Sequence, residues 1–172
     1  QRIPVRYPTQ LGVINQRGKE NEMKQIEIKI RGIAPLLTHN ERLANPFDDL
    51  TREIKAISGK RKKTDDDLIE MARLEWMGGL YYDDENGPYI PGHNMFAALY
   101  EAGKVHKLGT AIKRAALVLE DKLPIIYDGP RDLNGMFADK RFIDMRGIKV
   151  NGSRVQRARP RFIDWQLKCT VA

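Results

Sequence analysis

Two segments of the chain alternate strictly between apolar and polar side chains, which is the pattern of a half-buried β-strand. In residues 24–32, isoleucine recurs at every second position and charged residues occupy the other face. In residues 161–171, the alternation predicts a last strand that carries Phe162 on its polar face. The opposite, apolar face of this last strand is predicted to hold Ile163, Trp165, Leu167, Cys169 and Val171.

Apolar residues at helical intervals predict three helices. The first covers residues 48–57 and begins behind a capping aspartate, Asp48. The second follows Thr64, which is spaced to form a capping box with Asp67, and it ends at a pair of glycines. The third covers residues 93–102.

The remaining elements complete an α+β pattern. Residues 80–90 predict a hairpin around an Asp-Asp-Glu-Asn-Gly turn. A basic loop is predicted for residues 103–114, followed by strands at 115–120, 123–127 and 142–150. The resulting order is strand, helix, strand, strand, helix and later strands, which is the ferredoxin-like split βαβ plan with an inserted β/loop region.

The chain divides into an N-terminal arm, residues 1–22, and one domain, residues 23–172. Prolines and glycines are spread along the arm, and its apolar residues occur only in short groups. The domain is long enough to bury a hydrophobic core. Residues 1–22 are either a native arm, which is then a candidate contact between copies of the chain, or upstream sequence that the core does not need.

A short segment of prolines and glycines leads into the third helix. Pro88 and Pro91 favour an extended backbone, and Gly92 frees the backbone at the helix start. His93 or Asn94 is expected to cap the helix. A helix N-terminus presents unpaired N–H groups, which suit a phosphate or a closely packed backbone. The start of the third helix is therefore a candidate anion site.

The charge of the chain favours an acidic partner. There are 30 lysines and arginines against 23 acidic residues, a net charge of +7, and nucleic acid is the commonest partner of such proteins. Residues 140–161 hold eight of the basic residues and one acid, Asp144. The arginine-rich end of this segment is predicted to be a loop before the last strand, where guanidinium groups suit phosphate. A solvated surface run or an interface with an acidic protein is the alternative.

Nucleic-acid contacts are predicted at three basic clusters and at one aromatic residue. Phe162, beside Arg161, is typical of a base-stacking platform, although packing under the arm or a neighbouring subunit would also explain it. The basic candidates are Lys60, Arg61, Lys62 and Lys63, then Lys104, Lys107, Lys113 and Arg114, and finally Lys140, Arg141, Arg146, Lys149, Arg154, Arg157, Arg159 and Arg161.

Several chemical classes are excluded by composition and motif. A single cysteine excludes an internal disulfide and a multi-cysteine zinc site. No apolar run approaches the roughly 20 residues that cross a bilayer, so a cytoplasmic protein without a membrane partner is expected. The sequence has no Walker-type phosphate loop and no Gly-x-Ser-x-Gly elbow. No metal and no cofactor are predicted.

A catalytic alternative rests on Asp48, Asp49 and His39. The two aspartates could hold a divalent ion and cleave RNA, or His39 could act as a base. Aspartates at a helix start are first of all caps. A ribonuclease is therefore the second hypothesis.

Two motifs resemble the RAMP superfamily, the RNA-binding subunits of CRISPR effector complexes. Gly-Pro-Tyr-Ile-Pro-Gly at residues 87–92, before a helix of small residues, is similar to a proline-glycine-helix segment of that family. Gly-Ile-Ala-Pro-Leu-Leu-Thr-His at residues 32–39 resembles the end of its first strand and the following loop. The resemblance covers residues 23–104 and implies an RRM-like fold with a thumb-like insertion, repeated head to tail along nucleic acid. Carried over to this chain, it makes Gly92, His93 and Asn94 expected contacts to the backbone of the bound strand. His93 and Asn94 stand where the family often has two serines, which favours a divergent phage or mobile-element member.

The sequence thus predicts a non-enzymatic protein that binds single-stranded RNA or DNA through phosphate contacts. It is expected to form a homo-oligomer or filament along the strand, and its affinity should fall steeply with salt. A ribonuclease of the same fold is one alternative. A basic module that binds an acidic protein of a host complex is the other.

Overall fold

The computed structural model describes residues 24–150 and 153–172, together with the backbone of two short strands before them. These strands, β1 (Val13–Ile14) and β2 (Glu20–Asn21), form an antiparallel pair. The rest of the predicted arm lies outside the described residues. The side chain of Arg154, a predicted nucleic-acid contact, also lies outside them.

The described domain contains both strands and helices, mostly in consecutive groups of two or three. The strands are β3 (Ile26–Arg31), β4 (Leu36–Leu37), β5 (Tyr82–Asp83), β6 (Gly87–Pro91), β7 (Lys122–Pro124), β8 (Ile143–Val150), β9 (Ser153–Phe162) and β10 (Gln166–Val171). The helices are α1 (Asp49–Ser58), α2 (Asp65–Gly79), α3 (Gly92–Val105), α4 (Gly109–Ala115) and α5 (Leu133–Ala138). Two 3-10 helices cover Glu41–Ala44 and Lys140–Phe142.

Antiparallel pairing joins elements from the two ends of the chain. β3 lies beside β10, with Ile28 opposite Cys169. Isolated bridges connect β10 to Val118 and Ile126, on either side of β7. β7 pairs with β6, and β6 pairs with β5 in the predicted hairpin, which is confirmed. The first and last strands of the domain are thus neighbours.

A second group of strands has β9 at its centre. β8 and β9 form a long antiparallel hairpin, and β4 lies on the other side of β9 near its end. The predicted loop before the last strand is therefore wrong, because Arg157, Arg159 and Arg161 belong to β9. Pairing with β8 along eight positions holds Arg157 and Arg159 extended, and Arg161 pairs with Leu37 of β4.

The caps of α1 and α2 follow the sequence prediction. Asp48 caps α1 by accepting a hydrogen bond from the Thr51 N–H. Thr64 and Asp67 form the predicted capping box, since each side chain accepts from the backbone N–H of the other. Both helix starts are determined by residues within a few positions of the cap.

The hydrophobic core lies where α2 crosses β9. Trp76 of α2 is fully buried, and its indole N–H donates to the Phe142 carbonyl at 2.8 Å. A Cβ on Gly79 would lie 3.0 Å from the Pro160 ring, so α2 and β9 are in close contact there. Leu80, Leu123, Ile125, Met136 and Cys169 complete the most deeply buried set.

Phe162 is buried, and its predicted place on a polar face is wrong. Its ring lies 5.1 Å from that of Tyr127 and 5.9 Å from that of Phe142, both edge-on. The chain bends between β9 and β10, so the alternation of residues 161–171 does not belong to a single strand. Phe162 instead shares the buried face of β9 with Ala158 and Pro160.

The predicted basic loop at residues 103–114 is also wrong. Lys104 lies in the last turn of α3, and Lys113 and Arg114 lie in the last turn of α4. Helical hydrogen bonds satisfy this backbone, so its charged side chains project from short helices. In place of the strands predicted at 115–120 and 123–127, only β7 forms, and Val118 and Ile126 on either side of it make the isolated bridges.

The described domain is a mixed α/β structure with several small antiparallel sheets. The ferredoxin-like arrangement of these strands stays a prediction. Among the helices that the structure describes, none combines the length and apolar character needed to cross a membrane.

Candidate functional site

The β8–β9 hairpin gathers the predicted arginines on one face. Residues directly opposite each other on paired strands share a face, and Arg146 lies opposite Arg157 while Asp144 lies opposite Arg159. Arg161 belongs to the same face because it is two residues beyond Arg159. The other face of β9 enters the core. We call these four arginines, with Asp144, the arginine face.

Acidic and carbonyl groups occupy part of the arginine face. Arg146 pairs with Asp144 at 2.6 Å, and Arg161 donates to the Arg141 and Lys140 carbonyls at 3.0 and 3.2 Å. Arg141 in turn pairs with the Asp139 carboxylate at 2.7 Å. The net positive charge available to a ligand is therefore smaller than the number of basic residues in 140–161 indicates.

Arg157 pairs with a buried carboxylate from α2. Glu75 has 6 % of its side chain exposed, bonds the Arg157 guanidinium, and accepts the Ala158 N–H at 3.4 Å. Glu75 thereby bonds a backbone N–H on the edge of β9 at a position that does not pair with β4. Sequence reasoning missed this pair, because its members are 82 positions apart.

A groove of about 450 Å³ separates α1 from the hairpin. Arg157 and Arg159 line one side, Lys55 and Ser58 of α1 line the other, and His39 also contributes. Glu75 is the only acid among its described lining residues. Arg159 has no ion pair among the described residues. We call this cavity the basic groove; Lys55 was not a predicted contact, and no local motif singles it out.

The basic loop after α1 is adjacent to this groove, since it begins just beyond Ser58. Lys60 pairs with Asp67 at 2.6 Å, and this hydrogen bond lowers the pKa of that carboxyl below its usual value. Lys63 donates to the Lys60 carbonyl at 3.0 Å. Arg61 and Lys62 have no ion pair among the described residues. Two of the four predicted residues, Lys60 and Lys63, therefore make hydrogen bonds that stabilise their own loop.

The helix start at Gly92 is closed by the chain itself. The Gly92 N–H donates to the Asp121 carbonyl at 2.8 Å, and a Cβ at Gly92 would collide with the Glu120 carbonyl oxygen. Pro91 holds the cap position without a side-chain hydrogen bond, so the predicted cap by His93 or Asn94 is wrong. This N–H is bonded to the carbonyl of a closely packed backbone segment, so it is not open to an anion.

A second groove, of about 690 Å³, runs past this helix start. It is lined by Tyr81, Tyr89 and Phe96, and by residues 116–118 and 120–122. We call it the aromatic groove. His93 lines it and is exposed, whereas Asn94 is half-buried and does not line it.

The remaining basic candidates lie away from both grooves. Lys104 pairs with Glu101 at 2.6 Å, which raises the pKa of the Lys104 ammonium. Lys107, Lys113 and Arg114 are exposed. None of these four lines either groove. Lys149 projects from the exposed end of β8 on the face opposite the arginine face.

The residues of the catalytic alternative have structural contacts. Asp48 pairs with Arg42 at 2.8 Å; burial raises its pKa, but the hydrogen bonds from Arg42 and Thr51 outweigh this and lower it overall. Asp49 pairs with Arg52 at 3.3 Å. Across the part of the chain that the structure describes, no group of three or more His, Cys, Asp or Glu could hold a metal ion.

Comparisons of this chain with protein-family models, with curated proteins and with solved structures gave no match.

Proposed function

We propose that the protein binds single-stranded RNA or DNA in the basic groove without cleaving it. The observation that carries the proposal is the meeting of Arg157, Arg159 and Lys55 in one cavity, from elements that are distant in the chain. Convergence of positive groups raises the local concentration of an anionic ligand and orients it.

Each of the three cations has hydrogen-bond donors for a phosphate. The Arg159 guanidinium has no ion pair among the described residues, and its planar fork matches two phosphate oxygens. Arg157 engages Glu75 through Nη1, and a guanidinium carries five N–H donors in all, so others remain. Lys55 adds a compact charge from the opposite wall of the groove.

A linear polyanion fits this surface better than a single small anion. The arginines of β9 recur at every second residue, a spacing of about 6.6 Å along a strand. Arg146 extends the row across the hairpin, with 62 % of its side chain exposed. Such a row offers successive contacts to a chain of phosphates, as single-strand binding grooves do.

The assembly we propose is a homo-oligomer along the bound strand, in a divergent RAMP-like protein with a ferredoxin-like core. The support is the motif resemblance at residues 32–39 and 87–92, together with the outer position of β3. Among the described strands β3 pairs only with β10, and Ile26 on it is 63 % exposed. An edge of this kind suits contact with another copy.

The test is fluorescence anisotropy of labelled oligo(dT) and oligo(U), titrated with the protein across a salt series. Wild type should bind at low salt and weaken steeply as salt rises. The double variant Lys55→Ala with Arg159→Ala removes two phosphate contacts. It should reduce the slope of log K against log salt by about 1.4, at roughly 0.7 per single-strand contact.

Lys168→Ala and Lys113→Ala together form the matched control, because both lysines are exposed and neither lines the groove. This control loses the same charge and should leave the slope within about 0.3 of wild type. Absence of binding to either oligonucleotide at low salt refutes the proposal. If the control loses as much affinity and slope as the Lys55→Ala, Arg159→Ala variant does, the basic groove is not the binding site.

One observation favours a second candidate, since His39 lies at the basic groove. A histidine beside a bound RNA backbone can act as a general base in cleavage. Labelled RNA incubated with the protein, with and without a chelator, tests this ribonuclease. Cleavage that persists in chelator and disappears in His39→Ala would replace the binding function by the catalytic one.

A further inference from the structure

The aromatic groove differs in charge from the rest of this basic protein. Its described lining includes three acids, Glu41, Glu120 and Asp121, and one lysine, Lys122. The chain as a whole carries a net charge of +7. A groove with an acidic surplus disfavours a phosphate backbone and favours a cationic ligand. Its ligand therefore belongs to a different class from that of the basic groove.

A strand edge with unpaired backbone groups forms one wall of this groove. Leu117 exchanges two hydrogen bonds with Ala172, at 2.8 and 2.9 Å, and the Leu119 N–H donates to the Thr170 carbonyl at 3.0 Å. Backbone groups alternate in direction along a strand, so the N–H and C=O of Val118 point away from β10. Neither has a backbone partner among the described residues. Val118 lines the groove.

Aromatic rings beside this edge offer a surface for a cation. The rings of Tyr81 and Tyr89 lie 6.0 Å apart, and Phe96 of α3 lines the same cavity. The Lys122 ammonium already lies 5.3 Å from the centre of the Tyr89 ring. Ring faces attract guanidinium and ammonium groups at such distances.

Hydrogen bonds fix the position of two acidic residues of the groove. The Glu120 carboxylate accepts the Thr170 N–H at 2.9 and 3.0 Å. Burial raises the pKa of Glu120, but these hydrogen bonds outweigh it and leave the pKa below its usual value. Asp121 is exposed, and its backbone is held by the hydrogen bond from Gly92. Glu120 therefore contributes negative charge at neutral pH.

We propose that the aromatic groove binds an extended, basic segment of a partner protein. The segment pairs with the strand edge at Val118, as an added β-strand. An arginine or lysine side chain of the segment contacts the rings of Tyr81 and Phe96, in the groove that Asp121 and Glu41 also line. The proposal does not depend on nucleic-acid binding in the basic groove.

The probe is a fluorescein-labelled peptide of alternating valine and arginine, titrated with the full chain and followed by anisotropy. The peptide should bind saturably, with an affinity that salt weakens. A peptide of the same length with glutamate in place of arginine should not bind. This pair of peptides separates strand addition by a basic segment from non-specific strand pairing.

Two variants test the two parts of the contact separately. Val118→Pro removes the edge N–H and should lower peptide affinity by about two- to tenfold, the effect of one hydrogen bond. Asp121→Asn removes one charge and should lower it by about two- to fivefold. Asp84→Asn is the matched control, because Asp84 is exposed and does not line the groove.

The proposal fails if the arginine peptide does not bind at about 1 mM. It also fails if Val118→Pro and Asp121→Asn bind the peptide as tightly as Asp84→Asn does. Oligo(dT) is also added to the complex of the peptide with the Lys55→Ala, Arg159→Ala variant. If the oligonucleotide displaces the peptide, the aromatic groove binds nucleic acid instead. Neither Lys55 nor Arg159 lines this groove, so a negative peptide result leaves the nucleic-acid proposal untouched.

Discussion

Replacement of Gly92 by alanine should destabilise the protein through the packing of α3 against the segment before β7. The new Cβ would collide with the Glu120 carbonyl oxygen and would also lie 3.2 Å from the Glu120 carbonyl carbon. Both are backbone atoms, so no side-chain rotation relieves the clash. Either α3 or residues 120–121 must move, and the hydrogen bond from Gly92 to Asp121 is then lost.

The expected loss of stability has two contributions. Overpacking in a well-packed interior costs about 1–3 kcal/mol. The lost backbone hydrogen bond adds about 0.5–1.5 kcal/mol. The variant should therefore lose about 2–4 kcal/mol of unfolding free energy, out of the 5–15 kcal/mol typical of a domain. With a urea m-value of about 2 kcal/mol per molar, the midpoint falls by about 1–2 M.

Urea denaturation followed by tryptophan fluorescence measures this shift, because Trp76 is fully buried in the core. Gly147→Ala is the matched control. Its Cβ would meet nothing closer than the Gln156 side-chain nitrogen at 3.8 Å, and its φ is not positive. This control should change the stability by less than about 1 kcal/mol.

The opposing hypothesis is an open helix N-terminus at Gly92 that binds phosphate. It expects Gly92→Ala to weaken oligonucleotide binding while leaving the urea midpoint near that of Gly147→Ala. That outcome would refute the closed packing described above. A lower midpoint with unchanged salt dependence of oligonucleotide binding would support it.

Three further predictions concern core packing, pH dependence and helix capping. Phe162→Ala should lose about 3–5 kcal/mol in urea denaturation, and an unchanged midpoint would place this ring on the surface. The hydrogen bond from Lys122 lowers the pKa of Asp83 to about 2, so the stabilisation is present above about pH 4 and lost as the pH falls towards 2. The difference in urea midpoint between wild type and Asp83→Asn should shrink across that window, and a constant difference would contradict this linkage. Asp48→Ala should lose about 0.5–2 kcal/mol in thermal melting, whereas Asp48→Asn should retain most of the cap; equal losses would assign the effect to the ion pair with Arg42.

Local features were predictable because neighbouring residues determine them. The capping box of Thr64 and Asp67 forms from two side chains and two N–H groups within one turn. The turn before Gly87 is held by Asp83, which accepts hydrogen bonds from the N–H groups of Glu85 and Asn86. Both features need only a few residues of sequence and no tertiary contact.

Phe162 shows where periodicity fails. The prediction for this side chain assumed an unbroken alternation over residues 161–171. The bend between β9 and β10 shifts the phase of that alternation. Only the pairing of β9 with β8 and β4 determines that Phe162 faces the same way as Pro160. A one-residue change of phase exchanges the buried and exposed faces of a strand.

The sequence by itself determined the starts of α1 and α2, the hairpin at β5 and β6, and the concentration of arginine near the C-terminus, since these depend on residues close together in the chain. Only the tertiary structure decided which charges remain available. Packing of α2 across β9 brings Glu75 to Arg157 and leaves Arg159 beside Lys55. Packing of α3 against residues 120–121 closes the helix start at Gly92. Coulomb and hydrogen-bond energies depend on distance in space, so position along the chain does not reveal them.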